Sequence, residues 1–244
     1  MRNRLLFVGL FSVFTLSAQQ KTAQWIGKTN WILNPGAEAN SDQKPLQWKT
    51  DFPGNSENDW VSDYGRMSHE WNHGSLMGLP PKPGNNYFRL SVNNEQRDRK
   101  VNILQEFSLT SISKDLAQDT VMCVFSGQVA SHFTLKKNCT FTEIKLLFYN
   151  EANNLVDSSI IRKTPTDFEY IEEEGADEED KGHSALHKFQ PFSSTREVPK
   201  SAQKVRVELY CEFPCFVKNE EDESEGSVFN TYFYDNLSLG FYRK

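Results

Sequence analysis

Short stretches in which apolar and polar side chains alternate run through the chain from Asn86 onward. Alternation of period two is typical of β-strands that bury one face, whereas a surface helix repeats its apolar residues every three to four positions. Gly, Pro, Asn and Asp residues separate the stretches and indicate turns. The predicted strands are Asn86–Val92, Val101–Leu109, Thr120–Ala130, Glu143–Tyr149, Val156–Arg162, Lys188–Phe192, Lys204–Phe213 and Thr231–Phe241. A further brief strand is predicted at Trp31–Leu33, before the Pro35-Gly36 turn, and a hairpin turn at Asn150–Leu155. This pattern predicts an all-β fold, an antiparallel two-sheet β-sandwich.

The closing stretch, Thr231–Phe241, carries one acid where its alternation breaks. Apolar and polar residues alternate on both sides of Asp235 and Asn236, so the pattern predicts a strand with a local irregularity. A carboxylate buried without a partner costs several kcal/mol or more. Asp235 must therefore stay solvated, pair with a base or bind a metal.

The first 18 residues predict a secretory signal peptide. A basic start, an apolar run from Leu5 to Leu16 and a small-residue exit at Ser17 and Ala18 are its typical parts. The apolar run is too short for a membrane span, which needs about 20 residues, and no other stretch is longer. We expect cleavage after Ala18, a linker over residues 19–29, one domain over residues 30–244, and a secreted, periplasmic or cell-surface location.

Acidic residues are concentrated in two blocks, Glu169 to Asp180 and Glu220 to Glu225. Neither block contains a base, so both are interpreted as solvated loops. A nucleic-acid-binding surface needs a clustered basic stripe, and the chain has none. The sequence therefore predicts no nucleic-acid partner.

Four cysteines, Cys123, Cys139, Cys211 and Cys215, are an even number in an exported chain, so disulfides are allowed. Cys211 and Cys215 are close enough in sequence to close a short loop. Buried free thiols are the equally open alternative. A zinc site is disfavoured because no paired C-x-x-C motif is present.

His69-Glu70-Trp71-Asn72-His73 matches the zinc-protease pattern H-E-x-x-H. That pattern requires a continuous helix, but the surrounding residues 64–85 contain four glycines and three prolines, which break helices. A loop is the favoured interpretation, and whether these side chains bind a metal stays open. No nucleophile elbow, phosphate loop or dinucleotide fingerprint occurs, so no catalytic residues are nominated.

Several motifs resemble the galactose-binding-like jelly rolls, which include many bacterial carbohydrate-binding modules. They are Asn30 to Glu38 (N-x-x-x-N-P-G-A-E), Pro83 to Phe88 (P-G-N-N-Y-F), Gln105 to Leu109 (Q-E-F-S-L) and Tyr234 to Leu239 (Y-D-N-L-S-L). The resemblance covers nearly all of the chain after the signal peptide and implies a jelly-roll β-sandwich. Each motif is short, so the resemblance points to the fold more than to a ligand.

In such modules the acid after the first-strand turn and the acid of the closing Asp-Asn pair commonly help to hold a structural calcium. The corresponding residues here are Glu38 and Asp235. Calcium takes six to eight oxygen ligands, which two carboxylates and loop carbonyls can supply. The alternative is a solvated Glu38 and an Asp235 that caps a bulge by accepting backbone N–H bonds.

Aromatic residues in the loop-rich region between Trp48 and Gly84 are the candidate ligand contacts. Sugars stack on aromatic faces while nearby polar groups bond their hydroxyls. The candidates are Trp48, Trp60, Tyr64 and Trp71. The expected function is non-catalytic carbohydrate binding, with a glycan or polysaccharide as partner. The alternative is a surface adhesion or structural module that binds a protein partner. A hydrolase is a less favoured alternative.

Overall fold

A computed structural model describes residues 23–33, 35, 40–41, 44–45, 48–49, 51, 88–92, 100–133, 140–169, 185–212 and 230–244. Within these ranges almost all regular structure is β. One sheet contains β1 (Gln24–Ile26), β4 (Phe88–Val92), β6 (Val121–Phe133), β9 (Ala185–Leu186), β10 (Gln190–Glu197) and β12 (Asn230–Arg243). The other contains β5 (Lys100–Ser108), β7 (Phe141–Tyr149), β8 (Leu155–Lys163) and β11 (Lys204–Glu212). A separate two-stranded sheet pairs β2 (Asn40–Ser41) with β3 (Lys44–Pro45).

The order of the strands gives the jelly-roll connectivity. The first sheet runs β4-β12-β6-β10, with β1 pairing on β12 and β9 on β6, and the second runs β5-β11-β7-β8. All pairings are antiparallel. Apart from β7–β8 and β9–β10, strands from β4 onward that follow each other in the chain lie in different sheets, as in double Greek-key sandwiches. The predicted antiparallel two-sheet jelly-roll sandwich is confirmed.

The core lies between the inner faces of the two sheets. On β11 every second residue is fully buried: Val205, Val207, Leu209 and Cys211. Burying a Val or Leu side chain stabilises the fold by about 1.5–3 kcal/mol relative to leaving it exposed. The period-two pattern therefore fixes which face of each strand turns inward.

A β-bulge in β12 explains the break in alternation predicted at Asp235. The register with β6 shifts between Asp235 and Ser238. Tyr232 and Tyr234 are fully buried before the shift, and Leu239 is fully buried after it, so the inward positions change from even to odd numbers. The bulge keeps apolar side chains in the core along the whole strand.

Three local features differ from the sequence expectations. Gln24–Ile26, inside the segment predicted as linker, is a strand that pairs with β12. Trp31–Leu33, predicted as a brief strand, is irregular, although the Trp31 N–H donates to the Leu239 carbonyl at 2.8 Å. A short helix, α1 (Ser113–Gln118), went unpredicted because six residues show too little helical periodicity. None of the helices described is long and apolar enough to cross a membrane.

Two cysteines are buried free thiols in the core. Cys123 lies in β6 and Cys211 in β11, and both have no exposed surface. The Cys211 sulfur lies 3.1 Å from the Tyr234 hydroxyl. A Cys211–Cys215 disulfide, one of the two alternatives left open by the sequence, is therefore not formed. Cys139 and Cys215 lie outside the described residues.

Candidate functional site

The outward side of the second sheet carries an unusual density of charged and aromatic side chains. Because inward and outward residues alternate, the residues between the buried core positions turn to this side. We call this surface the charged face. Its residues are Asn102, Leu104, Glu106, Phe141, Glu143, Lys145, Leu147, Tyr149, Ser158, Ile160, Arg162, Lys204, Arg206, Glu208, Tyr210 and Glu212. Five of them are nevertheless buried: Asn102, Leu104, Leu147, Glu208 and Tyr210.

Lys145 occupies the middle of the charged face. Its Nζ lies 3.1 Å from Glu208 Oε1 and 3.4 Å from Glu143 Oε2, and the Lys145 and Glu208 side chains are only 16% and 8% exposed. The same ammonium lies 3.9 Å from the centroid of the Tyr210 ring, within range of a cation–π contact. Charges this shielded from water need partners, and the pairing holds these side chains in place.

Arg206 organises the end of the face near β5. Its Nε and Nη2 lie 3.0 and 2.9 Å from Glu106 Oε1, and its Nη1 donates to Asp51 Oδ2 at 2.8 Å. Lys204 adds a second cation 2.9 Å from Glu106. Partial burial opposes ionisation of Glu106, but the hydrogen bonds from Lys204 and Arg206 outweigh it and lower the Glu106 pKa. Partial burial also opposes protonation of Arg206, but Glu106 and Asp51 raise its pKa, so the cluster stays charged.

Aromatic rings stand beside these charges. Lys204 Nζ lies 5.0 Å from the centroid of the half-buried Tyr149 ring. Arg162 lies 3.6 Å from the centroid of the half-buried Phe141 ring. The Tyr210 hydroxyl donates to Glu212 Oε2 at 2.7 Å; burial, reinforced by that carboxylate, raises the Tyr210 pKa. The face thus combines partly exposed rings with hydrogen-bonding groups in defined positions, the mixture expected of a small-ligand site.

The predicted aromatic contacts are only partly described. Trp48 is 6% exposed, and its ring lies 5.0 Å from that of Phe88. Next to it, Lys49 pairs with Leu104 at the edge of β5. A ligand contact for Trp48 stays a prediction. Trp60, Tyr64, Trp71 and the His69–His73 motif lie outside the described residues.

The two ends of the domain meet at the β12 bulge. Asn30 bonds β12 through its side chain: Nδ2 donates to the Leu237 carbonyl at 2.9 Å, and Oδ1 accepts the Leu239 N–H at 3.0 Å. The Leu237 N–H donates to the Pro35 carbonyl at 3.1 Å. The first turn therefore lies against the closing strand, as the resemblance implied.

Asp235 is 1% exposed at this bulge. Its Oδ1 accepts the Asn236 N–H at 2.7 Å, and its Oδ2 lies 3.3 Å from Asn236 Nδ2. Asn236 has a φ of 51°, a left-handed conformation that Asn tolerates better than most residues. These bonds match the bulge-capping alternative. Glu38 lies outside the described residues, and within the described part of the chain no three His, Cys, Asp or Glu side chains cluster as metal ligands.

The charged face was not predicted from the sequence. β7 and β11 were predicted as strands, but the residues that share one side of them were not considered together. The signal was present: Glu143, Lys145 and Tyr149 follow period two in β7, as do Arg206, Glu208, Tyr210 and Glu212 in β11. Such a face is indicated where the outward positions of a strand carry aromatic and charged residues instead of small polar ones.

The protein is therefore an all-β jelly-roll sandwich whose charged face combines aromatic side chains with ion pairs. No protein-family model and no curated protein matches the chain. Among solved structures, the chain is similar to the C-terminal family 22 carbohydrate-binding module of Clostridium thermocellum Xyn10B, with 10% identity, a TM-score of 0.42, and coverage of 87% of this chain and 92% of that one. The CBM22-1 xylan-binding domain of Paenibacillus barcinonensis Xyn10C is another, with 9% identity, a TM-score of 0.37, and coverage of 86% and 92%.

A third similar structure is the enzymatically active domain of bacteriophage CBA120 tailspike protein 4, with 10% identity and a TM-score of 0.46. The match covers 87% of this chain but 21% of the tailspike chain. Likenesses this distant carry no information on the ligand of this protein. The resemblance drawn from the sequence motifs is confirmed at the level of the fold, which the strand order and registers define.

Proposed function

We propose that this protein is an exported, non-catalytic module that binds a glycan on the charged face. The observation that carries the proposal is the juxtaposition of half-buried rings, Tyr149 and Phe141, with ion pairs that hold their side chains in fixed positions. A sugar C–H surface packs on an aromatic ring, and its hydroxyls exchange hydrogen bonds with charged groups. Groups already held in place lose little conformational entropy on binding.

The balance of charge favours a neutral glycan. Ion pairs on the charged face and beside it join five basic and five acidic side chains. They are Lys100, Lys145, Arg162, Lys204 and Arg206, and Asp51, Glu106, Glu143, Glu208 and Glu212. Each basic group has a carboxylate within 4.0 Å. An acidic sugar would have to displace one of these carboxylates, whereas a neutral sugar adds hydrogen bonds without breaking a pair.

The test is a panel of neutral and acidic polysaccharides followed by calorimetric titration. Tyr149→Ala should weaken binding by about tenfold, because a lost aromatic contact of about 1.4 kcal/mol corresponds to that factor. Tyr242→Ala is the matched control, since Tyr242 is a half-buried tyrosine at the end of β12, in the other sheet. The proposal requires neutral ligands to bind and Tyr149→Ala to act more strongly than the control.

Three results would redirect the proposal. Loss of binding in Trp60→Ala or Trp71→Ala with Tyr149→Ala unaffected would place the site among the loop aromatics. A protein captured specifically, with no glycan bound, would favour the adhesion alternative, and turnover of a polysaccharide would favour a hydrolase. Export is tested by the amino terminus of the secreted protein, which should begin at Gln19.

We also propose that Asp235 and Glu38 hold a structural calcium. The buried Asp235 carboxylate supports this, because it stands where the first turn meets the closing strand. Bound calcium would supply charge neutralisation and join the two chain ends. EDTA should then lower the Tm of the wild type and leave the Tm of Asp235→Asn unchanged. An identical wild-type melt with and without EDTA would leave bulge capping as the whole role of Asp235.

A further inference from the structure

Strand β8 forms one edge of the second sheet, and within the described part of the chain it pairs only with β7. Apolar side chains are exposed along it: Leu155 is 54%, Val156 36% and Ile160 52% exposed. An exposed edge strand presents unpaired backbone donors and acceptors, and natural sheets protect such edges with charges, prolines or covering segments. β8 carries the charges of Asp157, Arg162 and Lys163, so it would repel most strands, but the exposed Ile160 between these charges favours pairing with a strand of complementary charge.

The backbone of β8 is oriented for such pairing. Arg196 of β10 donates from Nη2 to the Ser158 carbonyl at 3.2 Å. This carbonyl therefore points away from β7, toward the open edge. Alternate residues of a strand direct their backbone groups to the same side. The N–H and C=O groups of Ile160 and Arg162 consequently also point to the open edge.

We propose that two copies of this chain associate through their β8 strands, antiparallel about a two-fold axis at Ile160. The charges of β8 favour this register. Residues equally distant from Ile160 lie opposite each other, so Asp157 faces Lys163 of the second copy, and symmetry repeats the pair. Both residues lie on the inner side of the sheet, since they pair with Phe148 and Thr142 of β7. Shifting the axis to Ser159 would instead place Asp157 opposite Ile161.

The proposed contact adds backbone pairing on the side of β8 away from β7, where no strand of the described part of the chain pairs. Ile160 packs against Ile160 of the second copy and leaves solvent, which is the main favourable term. The backbone N–H of Arg162 of the second copy takes the place of Arg196 at the Ser158 carbonyl. The four-stranded second sheets of the two copies then form one continuous eight-stranded sheet, and the two charged faces lie side by side. This association does not depend on the glycan proposal, but it would give a polymeric ligand two linked sites.

The first experiment measures molecular mass by light scattering and sedimentation velocity across a concentration series. The wild type should be a monomer–dimer mixture that shifts toward dimer with concentration, and Ile160→Lys should be monomeric. Leu155→Lys is the matched control, because Leu155 is about as exposed as Ile160 but lies outside residues 157–163, which pair between the two copies in the proposed dimer. Circular dichroism checks that each variant is folded. A wild type that stays monomeric at millimolar concentration, or loss of the dimer in Leu155→Lys alone, overturns the proposal.

The second experiment tests the register by charge reversal. Each single variant, Asp157→Lys or Lys163→Asp, places like charges opposite each other at both symmetry-related pairs. Each should therefore weaken the dimer by about tenfold. The double variant restores both pairs with reversed sign and should recover wild-type association. A double variant as weak as the single ones refutes the Ile160-centred register, even if the protein is dimeric. These side chains lie at the sheet edge and are half-buried, so the variants should fold.

Discussion

Replacement of Asn30 by alanine should cost more stability than the partial burial of this one residue implies. The Asn30 side chain makes three hydrogen bonds to backbone: one to the Leu237 carbonyl at 2.9 Å, and one each from the N–H groups of Leu239 and Ile32 at 3.0 Å. Two of them span more than 200 positions in sequence. They hold the first segment of the domain against the bulge of the last strand.

The magnitude follows from the bonds removed. A hydrogen bond contributes about 1 kcal/mol net, so three lost bonds amount to about 3 kcal/mol. Because Asn30 is half-buried, water replaces part of these hydrogen bonds in the variant, and the free energy of unfolding should fall by about 2–3 kcal/mol. For a domain of this size each kcal/mol shifts the Tm by about 2–4 °C. Asn30→Ala should therefore melt roughly 4–12 °C below the wild type.

Equilibrium unfolding in urea, with far-UV circular dichroism as the probe, measures the change directly. Asn30→Asp keeps the Oδ1 acceptor but puts a carboxylate oxygen where the amide donates to the Leu237 carbonyl, so this variant should also be less stable than the wild type. Lys28→Ala, at an exposed position two residues away, should stay within about 0.5 kcal/mol of the wild type. If Asn30→Ala also stays within that range, the side chain does not hold the chain ends together.

Three further outcomes follow from buried groups. Gly127→Ala should destabilise the fold by about 1–3 kcal/mol in urea unfolding, because its Cβ would lie 2.7 Å from Leu237 Cδ2; a neutral effect would mean that the core repacks freely. Burial lowers the pKa of His187, so the folded state binds its proton less readily than the unfolded chain. Stability should fall as pH drops below about 6.5, and His187→Gln should flatten that slope; an unchanged slope contradicts this. Burial raises the pKa of Cys211 to about 12 and also that of Cys123, so in a variant whose other two cysteines are serine a thiol reagent should react only after unfolding.

Local sequence was a good guide to the strands because their signal is local. Alternation in Lys204–Phe213 and Glu143–Tyr149 predicted β11 and β7 nearly to the residue, and the Asn150–Leu155 turn between β7 and β8 is observed as a hairpin. The break at Asp235 and Asn236 was recognised as an irregularity and is a bulge. Each of these features depends on neighbouring residues and the period of the backbone.

The charged face could not be predicted in the same way. Glu208 and Lys145 are 63 residues apart in sequence, and they meet only because β11 pairs with β7 in one register. Loops often carry ligand contacts, so the sequence favoured the aromatic residues of the loop-rich region between Trp48 and Gly84. The sequence showed which positions of each strand point outward; it did not show which strands are neighbours.

The alternation of apolar and polar residues, the turn residues between the stretches and the order of the strands along the chain are properties of the sequence. They were sufficient to predict a two-sheet sandwich. Tertiary structure decided the rest. It made Gln24–Ile26 a strand, placed Asn30 against Leu237, and set the partly apolar β8 at the end of the second sheet among the described strands. The physical reason is that burial pattern is a local property of a strand, whereas pairing partner, register and edge exposure depend on contacts between distant segments.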